Sequence, residues 1–319
     1  MNKPLDHPPA IDPKKFIDPS VTAKGERRAS VYFKGLKTLW FNSGSLCNIE
    51  CANCYILSSP TADHFVYLTP DDMRPYLDEI DAMETGPVEI AFTGGEPYLN
   101  PYMIEMSEMA LSRGHSLLIL TNAMKPMMRP RVQKGLLDLH ARYGDKMTLR
   151  VSLDHFSETG HDRERGEGSF AIALNGMKWL TEHGFHLNIA GRAMFSESEP
   201  AARAGYQALI ETQGWNIDAL DPAKTLLFPE MDEKVDVPEI TTACWGILGI
   251  SPDAMMCSSS RMVVKRKGED KPAVLACTLL WDDPQFETGK TLSESLGPVK
   301  LNHPHCAKFC VLGGASCSA

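Results

Sequence analysis

Strand and helix signals alternate through most of this chain, and this alternation constrains the fold more than any other feature. Six short apolar runs typical of buried strands occur at Leu36–Phe41, Pro87–Phe92, Ser116–Leu120, Met147–Leu153, Leu187–Met194 and Thr225–Phe228. Helical segments separate them and end close to glycines, as at 130–143, 169–183 and 200–212. Such alternation favours parallel strands with the helices outside. Six units are fewer than the eight of a closed barrel, so we expect an α/β fold with a partial (β/α)6 TIM-like barrel.

Three cysteines follow the first predicted strand at spacings of four and three residues: Cys47, Cys51 and Cys54. Three thiolates on one short loop can hold three irons of a four-iron cluster and leave the fourth iron open. Open metal positions are usually the reactive ones. Disulfides are the alternative, but residues 1–19 lack a signal-peptide pattern, so metal ligation in a reducing cytoplasm is favoured.

A glycine turn with a carboxylate, Thr93-Gly94-Gly95-Glu96-Pro97, follows the second predicted strand. The two glycines allow a ligand to approach the backbone closely, and the carboxylate can receive an ammonium group. Taken alone, this stretch is better explained as a turn that precedes a helix.

Polar residues also follow the later predicted strands, and active residues of such barrels gather at the carboxyl ends of the strands. Asn122 ends the third strand, and Ser152 and Asp154 end the fourth. Arg165 lies in a polar segment, 161–168, which is predicted as a loop, and Arg192 interrupts an apolar strand. Ordinary capping and ion pairing could account for any one of them.

The Cys47-x3-Cys51-x2-Cys54 loop, followed after about forty residues by Gly94-Gly95-Glu96-Pro97, resembles the signature of the radical SAM (S-adenosylmethionine) superfamily. The resemblance implies that Cys47, Cys51 and Cys54 hold a [4Fe–4S] cluster whose open iron chelates SAM. It also implies reductive cleavage of SAM to a 5′-deoxyadenosyl radical that abstracts hydrogen from a substrate.

The same resemblance implies a set of SAM contacts. Gly94, Gly95, Glu96 and Pro97 would contact the amino group of SAM. The ribose and carboxylate would be contacted by residues at the later strand ends, namely Asn122, Ser152, Asp154, Arg165 and Arg192. Family members often have an aromatic residue beside the adenine where this chain has Asn53, and the nearest aromatic residue is Tyr55.

The last 76 residues hold six of the nine cysteines: Cys244, Cys257, Cys277, Cys306, Cys310 and Cys317. Residues 250–254 are predicted as one hairpin turn. Residues 261–266 and 273–276 are predicted as a second hairpin, which Cys257 and Cys277 flank. Because hairpin ends lie close together, these two thiols are expected to share one metal.

The cysteine-rich tail resembles the SPASM and twitch modules that carry auxiliary clusters in radical SAM enzymes. The resemblance implies an auxiliary [4Fe–4S] cluster on Cys257, Cys277, Cys306 and Cys310, with Cys244 or Cys317 as possible substitutes. Four thiolates suit a tetrahedral zinc ion equally well. His303 and His305 are explained more simply as loop residues.

Length, composition and charge set the expectations for domain organisation, nucleic-acid binding and localisation. The 319 residues are expected to divide into an irregular lead-in at 1–34, a barrel at 35–230 and an auxiliary domain at 231–319. The net charge of −9 and the lack of a basic block with aromatics argue against nucleic-acid binding. No apolar run reaches membrane-spanning length, so a cytoplasmic protein is expected.

The leading hypothesis is therefore a radical SAM oxidoreductase or maturase that takes electrons from a donor such as flavodoxin or ferredoxin. Its substrate would be a peptide or protein that is oxidised, cross-linked or epimerised. A sugar or cofactor precursor is the alternative substrate, since fold does not determine substrate. A non-catalytic zinc or iron–sulfur protein is the hypothesis from another class.

Overall fold

The computed structural model describes residues 10–194, 197–229 and 232–313. An open sheet of nine strands runs through the molecule in the order β10-β9-β8-β2-β3-β4-β5-β6-β7. Strands β8 and β2 to β7 are parallel, and β9 and β10 are antiparallel to their neighbours. The strands of this sheet are β2 Thr38–Asn42, β3 Glu89–Thr93, β4 Ser116–Thr121, β5 Met147–Ser152, β6 His186–Arg192, β7 Thr225–Phe228, β8 Ser260–Val264, β9 Ala273–Leu275 and β10 Glu287–Gly289.

All six predicted strands are present, as β2 to β7, and the alternation with helices confirms the α/β class. The helices are α1 Pro70–Ala82, α2 Met103–Ser112, α3 Pro130–Tyr143, α4 Glu158–Arg165, α5 Ser169–Glu182, α6 Glu199–Gln213 and α7 Cys244–Leu248. Helix α1 begins after Thr69, whose side chain accepts a hydrogen bond from the backbone N–H of Asp72 and caps the helix.

The two faces of the sheet are buried by different parts of the chain. Leu39 and Phe41 of β2 belong to a core that includes helical residues such as Met73 and Leu77 of α1. Trp40, between them, points to the opposite face and joins a second core built largely from residues after position 237. The helices therefore cover one face, and the C-terminal segment covers the other.

The C-terminal segment also extends the sheet itself. Strand β8 pairs in parallel with β2, with Thr38 opposite Ser260, and β9 returns antiparallel to β8. This confirms the second predicted hairpin. A separate pair of short strands, β1 Ser30–Val31 and β11 Val299–Lys300, joins the lead-in to the same segment. The division into domains stays a prediction, since one sheet crosses the expected boundary.

Two local predictions were wrong. The hairpin turn expected at 250–254 is a 3-10 turn, Pro252–Ala254, because the Ser251 side chain accepts from the backbone N–H of Asp253 and caps it. The polar loop expected at 161–168 is largely helix α4, which Ser157 caps. Within the described residues, no helix is both long enough and apolar enough to cross a membrane.

Candidate active site

The cysteine loop leaves the carboxyl end of β2 and forms one wall of an open cavity of about 1000 Å³, called here the main cavity. Cys47, Cys51 and Cys54 all line it. Burial raises the pKa of the Cys47 thiol to about 12 and also raises that of Cys51, where the nearby charge of Arg165 acts in the opposite direction. Bound metal ions would supply the positive charge that these buried thiolates need.

The glycine turn after β3 packs directly against the start of the cysteine loop. Gly95 donates its N–H to the Gly44 carbonyl at 2.8 Å, and a Cβ at Gly95 would lie 2.1 Å from the Leu46 carbonyl oxygen. Gly94 has φ +136°, and a Cβ there would lie 2.6 Å from the Gly44 oxygen. Both glycines line the main cavity. Close backbone packing therefore requires glycine here, in addition to any approach by a ligand.

The carboxylate of Glu96 is buried beside the main cavity and does not line it. It accepts hydrogen bonds from the Thr121 hydroxyl at 2.9 Å and from the backbone N–H groups of Asn122 and Tyr98 at 2.8 and 3.2 Å. Burial raises its pKa to about 7, although these hydrogen bonds act in the opposite direction. Glu96 thus ties the end of β3 to the end of β4, and neither Glu96 nor Pro97 lines the cavity.

Asn122 and Ser152, at the ends of β4 and β5, do line the main cavity. The side-chain amide of Asn122 donates to the side-chain oxygen of Asn48 at 3.0 Å and lies 3.9 Å from the Cys47 sulfur. The end of β4 is therefore in contact with the cysteine loop.

Asp154, Arg165 and Arg192 form one buried ion-pair network on the cavity wall. Arg165 contacts both oxygens of the Asp154 carboxylate, at 2.8 and 3.3 Å, and Arg192 approaches it at 3.3 Å. Burial alone would raise the pKa of Asp154, but the two guanidinium charges hold it below its usual value. Two guanidinium groups facing one carboxylate leave an excess positive charge that can attract an anionic ligand group.

Arg192 also fixes the cysteine loop and its aromatic residue. It donates to the Tyr55 hydroxyl at 3.0 Å and to the Asn53 carbonyl at 2.8 Å, and its guanidinium lies 4.6 Å from the Tyr55 ring centre. The Asn53 side chain donates to Glu164 of α4 at 2.7 Å. Tyr55 lines the main cavity, whereas Asn53 faces a neighbouring opening.

That neighbouring opening is the side cleft, of about 1420 Å³, which shares Cys54, Tyr55, Arg192 and Leu279 with the main cavity. Its outer wall carries acidic and aromatic residues from the C-terminal segment, including Glu233, Trp281 and Asp282. The indole N–H of Trp281 donates to the Tyr55 carbonyl at 2.6 Å. The side cleft thus leads from the surface towards the cysteine loop.

Four of the six C-terminal cysteines line a further cavity, called here the thiol cavity: Cys257, Cys277, Cys306 and Cys310. Burial raises the pKa of Cys257 to about 12 and that of Cys306 well above its usual value, and the nearby Cys277 thiol raises both further. Cys244 is not in this set, and its sulfur accepts from the Thr241 N–H at 3.3 Å. Cys317 lies outside the described residues.

The two cysteine-lined cavities lie next to each other. Leu279 lines both of them. Tyr55 and Phe228 line the main cavity with ring centres 5.6 Å apart, and Phe228 stacks on Phe309 at 5.2 Å. Phe309 lies between Cys306 and Cys310 in the π-helical turn Cys306–Val311. Sequence reasoning missed Phe228, although its position at the end of the last predicted strand was a usable signal.

The fold and the site together define a partial α/β barrel that carries a three-cysteine metal loop at the carboxyl ends of its strands. Residues 41–199 match the radical SAM superfamily. We assign the chain to that superfamily, whose members are enzymes that use a [4Fe–4S] cluster and SAM. None of the eight described cysteines is in a disulfide.

Three comparisons extend this assignment. The chain is 31% identical over 145 residues to the antilisterial bacteriocin subtilosin biosynthesis protein AlbA of Bacillus subtilis, covering 45% of this chain and 30% of that protein. It is 29% identical over 139 residues to the mycofactocin maturase MftC of Mycobacterium ulcerans, covering 44% and 35%. The chain therefore spans about a third of the length of these curated relatives.

The third comparison concerns the fold. The structure of Streptococcus suis SuiB bound to the precursor peptide SuiA matches with a TM-score of 0.58 at 12% identity, covering 89% of this chain and 67% of that one. At this identity the match supports the partial barrel and its C-terminal extension as a fold.

Proposed function

We propose that this chain is a radical SAM enzyme that modifies a peptide. Its main cavity would hold a [4Fe–4S] cluster on Cys47, Cys51 and Cys54, with SAM beside it. When bound, these groups supply a reducing electron and a 5′-deoxyadenosyl radical that abstracts hydrogen from the substrate. The observation that carries the proposal is the single cavity lined by all three thiols, the glycine turn and the Asp154–Arg165–Arg192 network.

In this proposal, different residues of the main cavity would bind different groups of SAM. The excess positive charge of Arg165 and Arg192 would hold the carboxylate of SAM. The backbone at Gly94 and Gly95 would receive its amino group, and Asn122 and Ser152 would contact its polar groups. Tyr55, Phe228 and Trp40 are the aromatic residues of the cavity wall that would pack against the adenine.

The thiol cavity would hold an auxiliary iron–sulfur cluster. The chemistry of its donors supports this, because two buried and two half-buried cysteines line a cavity whose other walls are almost entirely apolar. Leu279 lines both cavities, and this proximity supports electron transfer between the two sites. A flavodoxin or ferredoxin would supply the reducing electron.

A peptide substrate is supported by the side cleft and by the relatives. The cleft is large, is open to the surface, and reaches Cys54 and Tyr55 at the main cavity. AlbA is described as a bacteriocin biosynthesis protein and MftC as a maturase, and the SuiB structure contains a precursor peptide. The modification would be an oxidation, a cross-link or an epimerisation.

SAM cleavage is the direct test. The protein would be reconstituted anaerobically with iron and sulfide, then mixed with dithionite and SAM, and 5′-deoxyadenosine would be measured. The wild type should form it, and Cys51→Ala should not. Cys244→Ala is the matched control, because Cys244 lines neither cavity, and it should keep wild-type activity. A reconstituted wild type that forms no 5′-deoxyadenosine would refute the proposal.

A further inference from the structure

His305 has one partnered and one unpartnered ring nitrogen. Its Nε2 lies 3.0 Å from a carboxylate oxygen of Glu233. Its Nδ1 is buried and has no hydrogen-bond partner among the described residues. Only 7% of the residue is exposed. A buried polar atom without a partner is costly, and in a native protein it calls for an explanation.

The Glu233 contact defines which nitrogen is available for a ligand. An ionised carboxylate can only accept hydrogen bonds, so Nε2 carries the proton that it donates to Glu233. In the neutral imidazole, Nδ1 then presents an unshared electron pair. A histidine that binds a metal through one nitrogen commonly donates its other ring N–H to a carboxylate. The Glu233–His305 pair has this arrangement.

His305 lies beside the proposed auxiliary cluster. His305 lines the thiol cavity together with the four cysteines and immediately precedes Cys306. His305 also lines the side cleft, where Glu233 lies. The other residues that line the thiol cavity are apolar, so within that cavity only the thiols could share a ligand with Nδ1. Cys257, Cys277 and Cys306 are close enough to influence one another through their charges.

We propose that His305, through Nδ1, is an iron ligand of the auxiliary cluster. Cys257, Cys277 and Cys306 would supply the other three positions, and Glu233 would orient the imidazole. This inference rests on the proposed auxiliary cluster and changes its ligand set, because Cys310 becomes dispensable. A neutral imidazole in place of a thiolate raises the reduction potential of an iron–sulfur centre.

The test uses the Cys47→Ala/Cys51→Ala/Cys54→Ala protein, so that only the auxiliary cluster contributes to the spectrum. The protein would be reconstituted, reduced with dithionite without SAM, and studied by pulsed electron paramagnetic resonance. We expect a nitrogen hyperfine coupling that shifts when the histidines are labelled with ¹⁵N. In the same background, the coupling should disappear in His305→Ala and persist in His303→Ala and Cys310→Ala.

His305→Cys is a second variant, because His305→Ala could lose the nitrogen coupling simply by failing to assemble its cluster. This variant should keep about four irons per chain, lose the nitrogen coupling, and have a lower reduction potential. An auxiliary cluster that has no histidine coupling in the otherwise wild-type sequence would overturn the inference and leave the proposed cluster intact. If no cluster assembles in the triple variant, the proposed auxiliary cluster itself is wrong, and the inference fails with it.

Discussion

The main cavity and the thiol cavity are both lined by cysteines, but their other walls differ. The main cavity adds a glycine turn, the polar side chains of Asn122 and Ser152, and a buried ion-pair network. The thiol cavity adds methionine, leucine, phenylalanine and valine side chains, with His305 as its one polar residue besides the cysteines among those described.

Walls of these two compositions suit two different kinds of metal site. A wall with excess positive charge and exposed backbone can bind a charged ligand that exchanges in every turnover. An apolar wall offers a metal nothing except its ligands, which suits a cluster that stays in place and has its positions filled. The contrast therefore supports the proposal that substrate chemistry takes place in the main cavity and that the thiol cavity holds a resident cluster.

The largest expected effect comes from breaking the network that distinguishes the main cavity. Asp154→Ala leaves the guanidinium groups of Arg165 and Arg192 buried without their carboxylate. Removing one partner of a buried ion pair costs about 3–5 kcal/mol. Denaturant unfolding measures this loss, and Asp138→Ala is the control because the Lys134–Asp138 pair is exposed. An equal, small effect in both variants would show that the network is not important for the fold.

A smaller effect is expected at the glycine turn. A Cβ at Gly95 would lie 2.1 Å from the Leu46 carbonyl oxygen, so Gly95→Ala must displace the cysteine loop or the turn. Overpacking of this kind costs about 1–3 kcal/mol. Gly246→Ala is the matched control, because a Cβ there has no heavy atom within 4 Å. The midpoint temperature of thermal unfolding should be lower in Gly95→Ala and unchanged in Gly246→Ala. An unchanged midpoint in Gly95→Ala would mean that this contact is easily relieved.

The pH dependence of stability tests the burial of Glu96. Burial raises its pKa from 4.5 to about 7, so over this range the folded protein keeps a proton that the unfolded chain has released. The free energy of unfolding should therefore fall as pH rises from 4.5 to 7. Glu96→Gln should remove this component, and the exposed control Glu105→Gln should keep it. Parallel pH profiles for wild type and Glu96→Gln would contradict the burial argument.

Much of this site could be predicted from local sequence. Each of these features lies at or just after the end of a predicted strand: the cysteine loop, the glycine turn, Asn122, Ser152 and Asp154. The carboxyl ends of parallel strands meet at one edge of a sheet. Recognising each strand is enough to place these residues. The predicted hairpin likewise places Cys257 near Cys277, because a hairpin brings its two ends together.

The remaining features depend on contacts that local sequence does not encode. The pairing of β8 with β2 joins segments more than 200 residues apart, so it could not be predicted from either strand. Asp154, Arg165 and Arg192 are separate candidates in the sequence, and they form one network only because Arg165 of α4 and Arg192 of β6 both reach Asp154. The pairing of His305 with Glu233 likewise depends on how the tail folds back.

The central claim is that the chain has two independent cluster sites, and counting iron in matched variants tests it most directly. Wild-type protein reconstituted anaerobically should hold about eight irons per chain. Cys47→Ala/Cys51→Ala/Cys54→Ala and Cys257→Ala/Cys277→Ala/Cys306→Ala should each hold about four. Only the second variant should still cleave SAM. A wild type with about four irons, or a first variant that keeps all of its iron, would contradict the account.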